Sequence, residues 1–119
     1  MLRIIIIEDE QPAVENLLNE LNTVTNDYAI VTTLGSVEES IRWFNTREAE
    51  IDLIFLDIHL SDGLSFNIFK SVNITTPIVF TTAYDKYLLN SLEYNGIDYL
   101  LKPISQEKLK HTLTKLRNL

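Results

Sequence analysis

Cysteine is absent from the 119 residues. That excludes a disulfide framework, a thiolate metal site and a cysteine nucleophile, and it suits a reducing compartment. Glycine and proline are scarce, at three each, so no Pro/Gly-rich linker divides the chain, and no internal repeat or low-complexity stretch appears. The apolar run Ile4 to Ile7 is far too short to cross a bilayer, and one arginine before four isoleucines lacks the length and cleavage site of a secretory signal. Positive charge is also in short supply: 10 basic against 17 acidic residues give a net charge of −7, with no basic cluster. A phosphate backbone would be repelled, so this segment is not expected to bind nucleic acid. Most of the carboxylates need no role beyond solubility; those beside strand ends need another explanation. The expectation is one domain, residues 1–119, cytoplasmic and not attached to a membrane.

What is present is an alternation of two patterns. Ile4 to Ile7, Leu53 to Leu56 and Pro77 to Phe80 are short, continuous apolar runs, as expected of strands covered on both faces of a parallel sheet. Tyr28 to Leu34 and Asp98 to Leu101 read as weaker strands. Between them, Val14, Leu17, Leu18 and Leu21 recur at helical spacing after Pro12, a residue suited to a first helical turn. Ser36 with Glu39 reads as a capping box for a second helix, with Val37, Ile41 and Phe44 inward. A third helix is expected from Ser65, with Ile68, Phe69 and Val72 inward, and a fourth from Asp85, with Leu88, Leu89 and Leu92 inward. Ser105 caps a fifth that carries Leu109, Leu113 and Leu116. Five strands alternating with five helices predict an α/β fold, a doubly wound parallel sheet with helices on both faces. Such sheets bind ligands at the carboxyl ends of their strands.

At those ends stand Glu8 and Asp9 after the first strand, Asp57 after the third, Thr82 and Ala83 after the fourth, and Lys102 and Pro103 after the fifth. Three carboxylates gathered in one crevice repel one another unless a cation lies among them, and an all-oxygen donor set suits Mg²⁺. Lys102 and Thr82 are the kinds of group that hold phosphoryl oxygens during transfer. Asp57 is then the natural nucleophile, able to form an aspartyl phosphate.

Taken together, Ile4-Ile5-Ile6-Ile7-Glu8-Asp9-Glu10, Leu56-Asp57-Ile58-His59-Leu60-Ser61-Asp62-Gly63, Thr81-Thr82-Ala83 and Leu101-Lys102-Pro103 resemble a response regulator receiver domain over the whole chain. Phe80-Thr81-Thr82-Ala83-Tyr84-Asp85 and Ile97-Asp98-Tyr99-Leu100-Leu101-Lys102-Pro103-Ile104 further resemble the subfamily with a LytTR-type DNA-binding output. The resemblance implies a CheY-like fold with strand order 2-1-3-4-5, and a phosphoacceptor that takes part in its own phosphorylation and dephosphorylation rather than a free-standing enzyme. It also implies that a histidine kinase is the partner, that Asp57 is the phosphoacceptor, and that the chain is the amino-terminal part of a longer regulator. Mg²⁺ would be held by Asp9, Asp57 and the backbone carbonyl of His59, with Glu8 acting through a water. Lys102 and Thr82 would hold the phosphoryl group, with Ala83 among the groups that bind it. Tyr99, three residues before Lys102, would be the switch aromatic, and Lys102-Pro103 a cis peptide. His59 and Tyr84 would flank the path of attacking water, and their bulk predicts slow hydrolysis. The face of the fourth helix, fifth strand and fifth helix, with Tyr87, Tyr94, Tyr99 and Lys108, would support a homodimer. Ser61, where many relatives have proline, is expected to loosen the loop after Asp57.

Blander roles stand beside these. Lys102 could be a surface lysine, Tyr99 a half-buried strand tyrosine, the His59 side chain a pocket rim, His111 a solvated helix residue, and Trp43 and Phe44 packing. Three other functions remain open from the residues alone. A haloacid dehalogenase-type enzyme needs a second Asp where this chain has His59. A flavodoxin-like carrier needs a phosphate loop after strand one, and a receiver can also serve as a binding module without phosphorylation.

Overall fold

A computed structural model describes residues 1–46, 49–84, 86, 93–94 and 96–119. Its main sheet comprises β1 (Leu2–Ile7), β2 (Tyr28–Leu34), β3 (Leu53–Asp57), β6 (Ile78–Thr82) and β7 (Gly96–Leu101), all parallel, in the order β2-β1-β3-β6-β7. That is the expected order 2-1-3-4-5. A two-stranded hairpin, β4 (His59–Leu60) with β5 (Gly63–Leu64), follows β3 and was not foreseen from the sequence. Among the described residues the helices are α1 (Gln11–Val24), α2 (Val37–Thr46) and α3 (Gln106–Arg117), with a 3₁₀ helix over Ser65–Lys70. The expected fourth helix, with Asp85, Tyr87, Leu88, Leu89 and Leu92, lies outside the described residues.

The sheet is apolar on both sides because successive side chains of a strand point to opposite faces. Ile4, Ile6, Leu53, Phe55 and Val79 pack with Leu17 and Leu21 of α1 and Leu109 and Leu113 of α3. Ile5, Ile7, Ile54, Leu56, Ile78 and Phe80 face the other way, toward Ile41 and Phe44 of α2 and Ile68 of the 3₁₀ helix. Trp43 meets Phe44 edge-on at 5.2 Å, so this pair is packing.

Local signals set the ends of these elements. Ser105 Oγ accepts from the Lys108 N–H, as foreseen for a cap. Ser36 Oγ accepts from the Glu39 N–H at 3.0 Å, while Glu39 reaches back to the Gly35 N–H at 2.7 Å, one residue beyond the usual capping-box partner. The third helix departs from expectation: Ser65–Lys70 winds as 3₁₀. Ser, Phe and Asn are mediocre helix formers, and a six-residue segment favours the tighter turn.

Candidate functional site

Strand register places the polar residues side by side. Ile7 lies opposite Leu56, so Glu8 comes level with Asp57. Asp57 is opposite Thr81, and Thr82 is opposite Leu101, one residue before Lys102. The Lys102 N–H donates to the Thr82 carbonyl at 2.8 Å, extending the ladder one step. The Lys102-Pro103 peptide is cis, as the resemblance implied.

Carboxylate oxygens of Glu8, Asp9 and Asp57 lie within 4.8 Å of one another. Asp9 is exposed, whereas Glu8 and Asp57 are buried. Lys102 Nζ donates to Asp57 Oδ2 at 3.1 Å and, in a shorter contact, to Glu8 Oε1. Glu8 is thus a direct partner of the lysine, a contact the sequence reading did not include. The Glu8 carboxyl is raised to about 7, chiefly by burial, with the Lys102 hydrogen bond opposing the rise and the charge of Asp57 adding to it. Burial also opposes the charge on Lys102, but Glu8 and Asp57 together hold it above the ordinary lysine value. One ammonium among three carboxylates leaves an excess of negative charge in a half-enclosed notch. The donors are all oxygen, with no sulfur and no imidazole, so the set fits a hard divalent cation such as Mg²⁺.

The remaining expected residues form the rim. Thr82 is buried, and its Oγ1 accepts from the Tyr84 N–H at 3.3 Å. Tyr99 is half-buried against the second core cluster, and its hydroxyl donates to the Tyr84 carbonyl at 2.5 Å. The backbone of Tyr84 thus connects Thr82 to Tyr99. Ala83 is exposed beside Thr82. His59 and Tyr84, both exposed, meet edge-on at 5.1 Å, and Lys86 Nζ lies 5.8 Å from the Tyr84 ring. Tyr94 is stacked on Phe69 at 4.4 Å and on Phe66 at 5.3 Å, so its ring serves packing rather than an open face. His111 is exposed.

Two acids escaped the sequence reading. Asp98 accepts from Thr112 Oγ1 at 2.6 Å and lies 3.5 Å from Lys115 Nζ, tying β7 to α3. Asp62, at the tip of the β4–β5 hairpin, accepts from the Val37 and Glu38 N–H groups at 2.7 and 3.0 Å. These bonds hold the Asp62 carboxyl below its ordinary value. Polar caps at a helix start are a known pattern, but a cap from 25 residues away leaves no local signal.

A groove of about 790 Å³ runs along β7 and α3, away from the carboxylates. A smaller cavity of about 320 Å³ opens between Pro12 and Leu17 of α1 and the Pro103-Ile104 turn, with Glu8 and Lys102 in its wall. Charge rather than size marks the chemistry, so the carboxylate notch is the candidate site. Among the described residues, no helix is long and apolar enough to cross a membrane.

Comparison with known proteins gives a consistent answer. Residues 4–114 match the response regulator receiver domain family. The sensory transduction protein LytT of Bacillus cereus is 35% identical over 120 residues, an alignment that takes in 98% of this chain and 48% of that protein. The chain therefore spans about half the length of such curated relatives. The response regulatory domain of protein mrkE from Klebsiella pneumoniae superposes with a TM-score of 0.79 at 30% identity, covering 98% of this chain and 96% of that one. A two-component response regulator from Clostridium difficile gives 0.81 at 30% identity, covering 99% and 97%. With the sheet order, the strand-end acids and Lys102 brought to one edge, this chain belongs to the response regulator receiver domain family.

Proposed function

We propose that the chain is the phosphoacceptor switch of a two-component system, in which Asp57 takes a phosphoryl group from a histidine kinase. The observation that carries this reading is the meeting of Asp57 with Glu8, Asp9 and Lys102 at one edge of the sheet. An Asp57 carboxylate oxygen attacks phosphorus, the phosphorus–nitrogen bond of the donor phosphohistidine breaks, and the imidazole leaves with its electron pair. Asp9, Asp57 and the His59 carbonyl would hold Mg²⁺, with Glu8 in support; when bound, the ion offsets the repulsion between the carboxylate and the incoming anion. Lys102 keeps its proton and pairs with the phosphoryl oxygens, while the Thr82 hydroxyl and the Ala83 backbone close round them. The apolar cavity beside Glu8 and Lys102 offers a kinase a place to dock next to the reacting atoms.

The hydrogen bonds from Tyr84 N–H to Thr82 and from Tyr99 to the Tyr84 carbonyl support a route outward. When the Thr82 hydroxyl turns to the phosphoryl group, the Tyr84 segment shifts and Tyr99 changes its partner. The groove along β7 and α3, which includes Tyr99 and Lys108, is then the surface for a homodimer or an output domain. From the length and names of the curated relatives, we read the chain as the amino-terminal receiver of a longer LytTR-type regulator. Acetyl phosphate with Mg²⁺ should label the wild type and shift the resonances of Tyr84 and Tyr99. Asp57→Ala should do neither, and equal labelling of the variant would end this reading.

His59 and Tyr84 touch at the rim, and together they narrow the approach of water to an aspartyl phosphate. The double variant His59→Ala, Tyr84→Ala should therefore lose its phosphate faster than the wild type, as followed by decay of the labelled protein. An unchanged decay would remove these two residues from the account of lifetime.

A further inference from the structure

The hairpin that follows Asp57 is anchored at both ends. At its base, Ile58 is fully buried, and the Ser65 N–H donates to the Ile58 carbonyl at 2.8 Å. His59 pairs with Leu64 and Leu60 with Gly63, and Gly63 takes a φ of +139°, which side-chain-bearing residues rarely adopt. At its tip, the Asp62 carboxylate bonds the first two N–H groups of α2. Serine at position 61 was expected to loosen this loop, and its hydroxyl donates to the Gly35 carbonyl at 3.4 Å, beside the Asp62 contacts. We propose that Asp62 is a positioning residue: by clamping the hairpin to α2, it fixes the backbone of His59 beside Asp57 and so sets the affinity of the acidic notch for Mg²⁺. This rests on the phosphoacceptor reading above. The clamp is charge-assisted on both counts, because a carboxylate accepts two backbone donors at the positive end of a helix dipole. Without it, the five residues between Asp57 and Gly63 keep the short ladder, the base contact and a longer bond from the Ser61 hydroxyl to the Gly35 carbonyl at 3.4 Å.

Asp62→Ala should weaken Mg²⁺ binding about tenfold, the lower end of what loss of an outer support costs a metal site. Hydrogen exchange at the hairpin amides, Ser65 included, should also speed up in the metal-free chain. Ser36→Ala is the control, since it removes another cap bond of the same helix, to Glu39, without touching the hairpin. It should loosen α2 and leave both the Mg²⁺ affinity and the hairpin exchange at wild-type values. Asp62→Asn, which keeps a side-chain oxygen as acceptor, should restore most of the affinity. If Asp62→Ala matched the wild type in affinity and in hairpin exchange, or if Ser36→Ala lowered the affinity equally, the clamp would be overturned. A wild type that bound no Mg²⁺ would instead remove the metal site, and the functional reading with it.

Discussion

Lys102→Ala is expected to slow labelling by acetyl phosphate by about 10²–10³-fold, the usual loss when one charge-stabilising group is taken from a transfer site. The same variant should bind Mg²⁺ more tightly than the wild type. The two effects have opposite signs because the ammonium now bonds both Glu8 and Asp57, and so competes with any cation for their oxygens. In the absence of metal, the side chains of Glu8 and Asp57, only 5% and 7% exposed, would be left without a counter-charge. Removing one partner from a buried pair is costly, about 1–3 kcal/mol here, since the lysine keeps some solvent and Glu8 can take up a proton. Saturating Mg²⁺ should recover that loss. Titration calorimetry, labelling rates and denaturant unfolding with and without chelator check the three parts. Labelling at the wild-type rate would show that Lys102 is no more than a surface lysine.

The stability of the metal-free chain should fall as the pH rises from 4.5 to about 7. Glu8 has its folded-state value raised from 4.5 to about 7, so across that window the folded chain binds more protons than the unfolded one. The contribution is fully present below 4.5, fades through the window and is gone above 7. Its size is on the order of 2–3 kcal/mol. Mg²⁺ favours the ionised carboxylate, so it should offset the trend. At a hundred times its dissociation constant, the ion adds about 2.7 kcal/mol at neutral pH and much less at pH near 5, where Glu8 is protonated. Urea unfolding at the two pH values, in chelator and in Mg²⁺, separates the cases. Stability that rose with pH in chelator would mean that Glu8 is not the buried, Lys102-bound acid described here.

The parts of the molecule that were legible in the sequence are those governed by local pattern. Ile4 to Ile7 and Leu53 to Leu56 could only be strands covered on both faces, and their two sets of side chains do divide between two core clusters. Ser105 and Ser36 cap the helices they precede because the cap lies within three residues of its partner. The meeting of Glu8, Asp9, Asp57 and Lys102 followed from topology, since parallel strands deliver their carboxyl ends to one edge. What escaped depended on distance in the chain. Neither the reach of Asp62 to α2 nor that of Asp98 to Lys115 has a spacing rule. The bond between Lys102 and Glu8 likewise joins residues 94 apart in the chain and has no local signal. The 3₁₀ winding of Ser65–Lys70, whose Ile68 packs on one face of the sheet, and the short β4–β5 hairpin are too brief to leave a clear periodicity.

Borohydride reduces an acyl phosphate and leaves the parent aspartate marked, so peptide mapping after acetyl phosphate treatment locates the phosphoryl group by residue. Reduction confined to Asp57, dependent on Mg²⁺ and lost in chelator, is the predicted outcome. Reduction at Glu8 or Asp9, or none at all in the folded wild type, would contradict it.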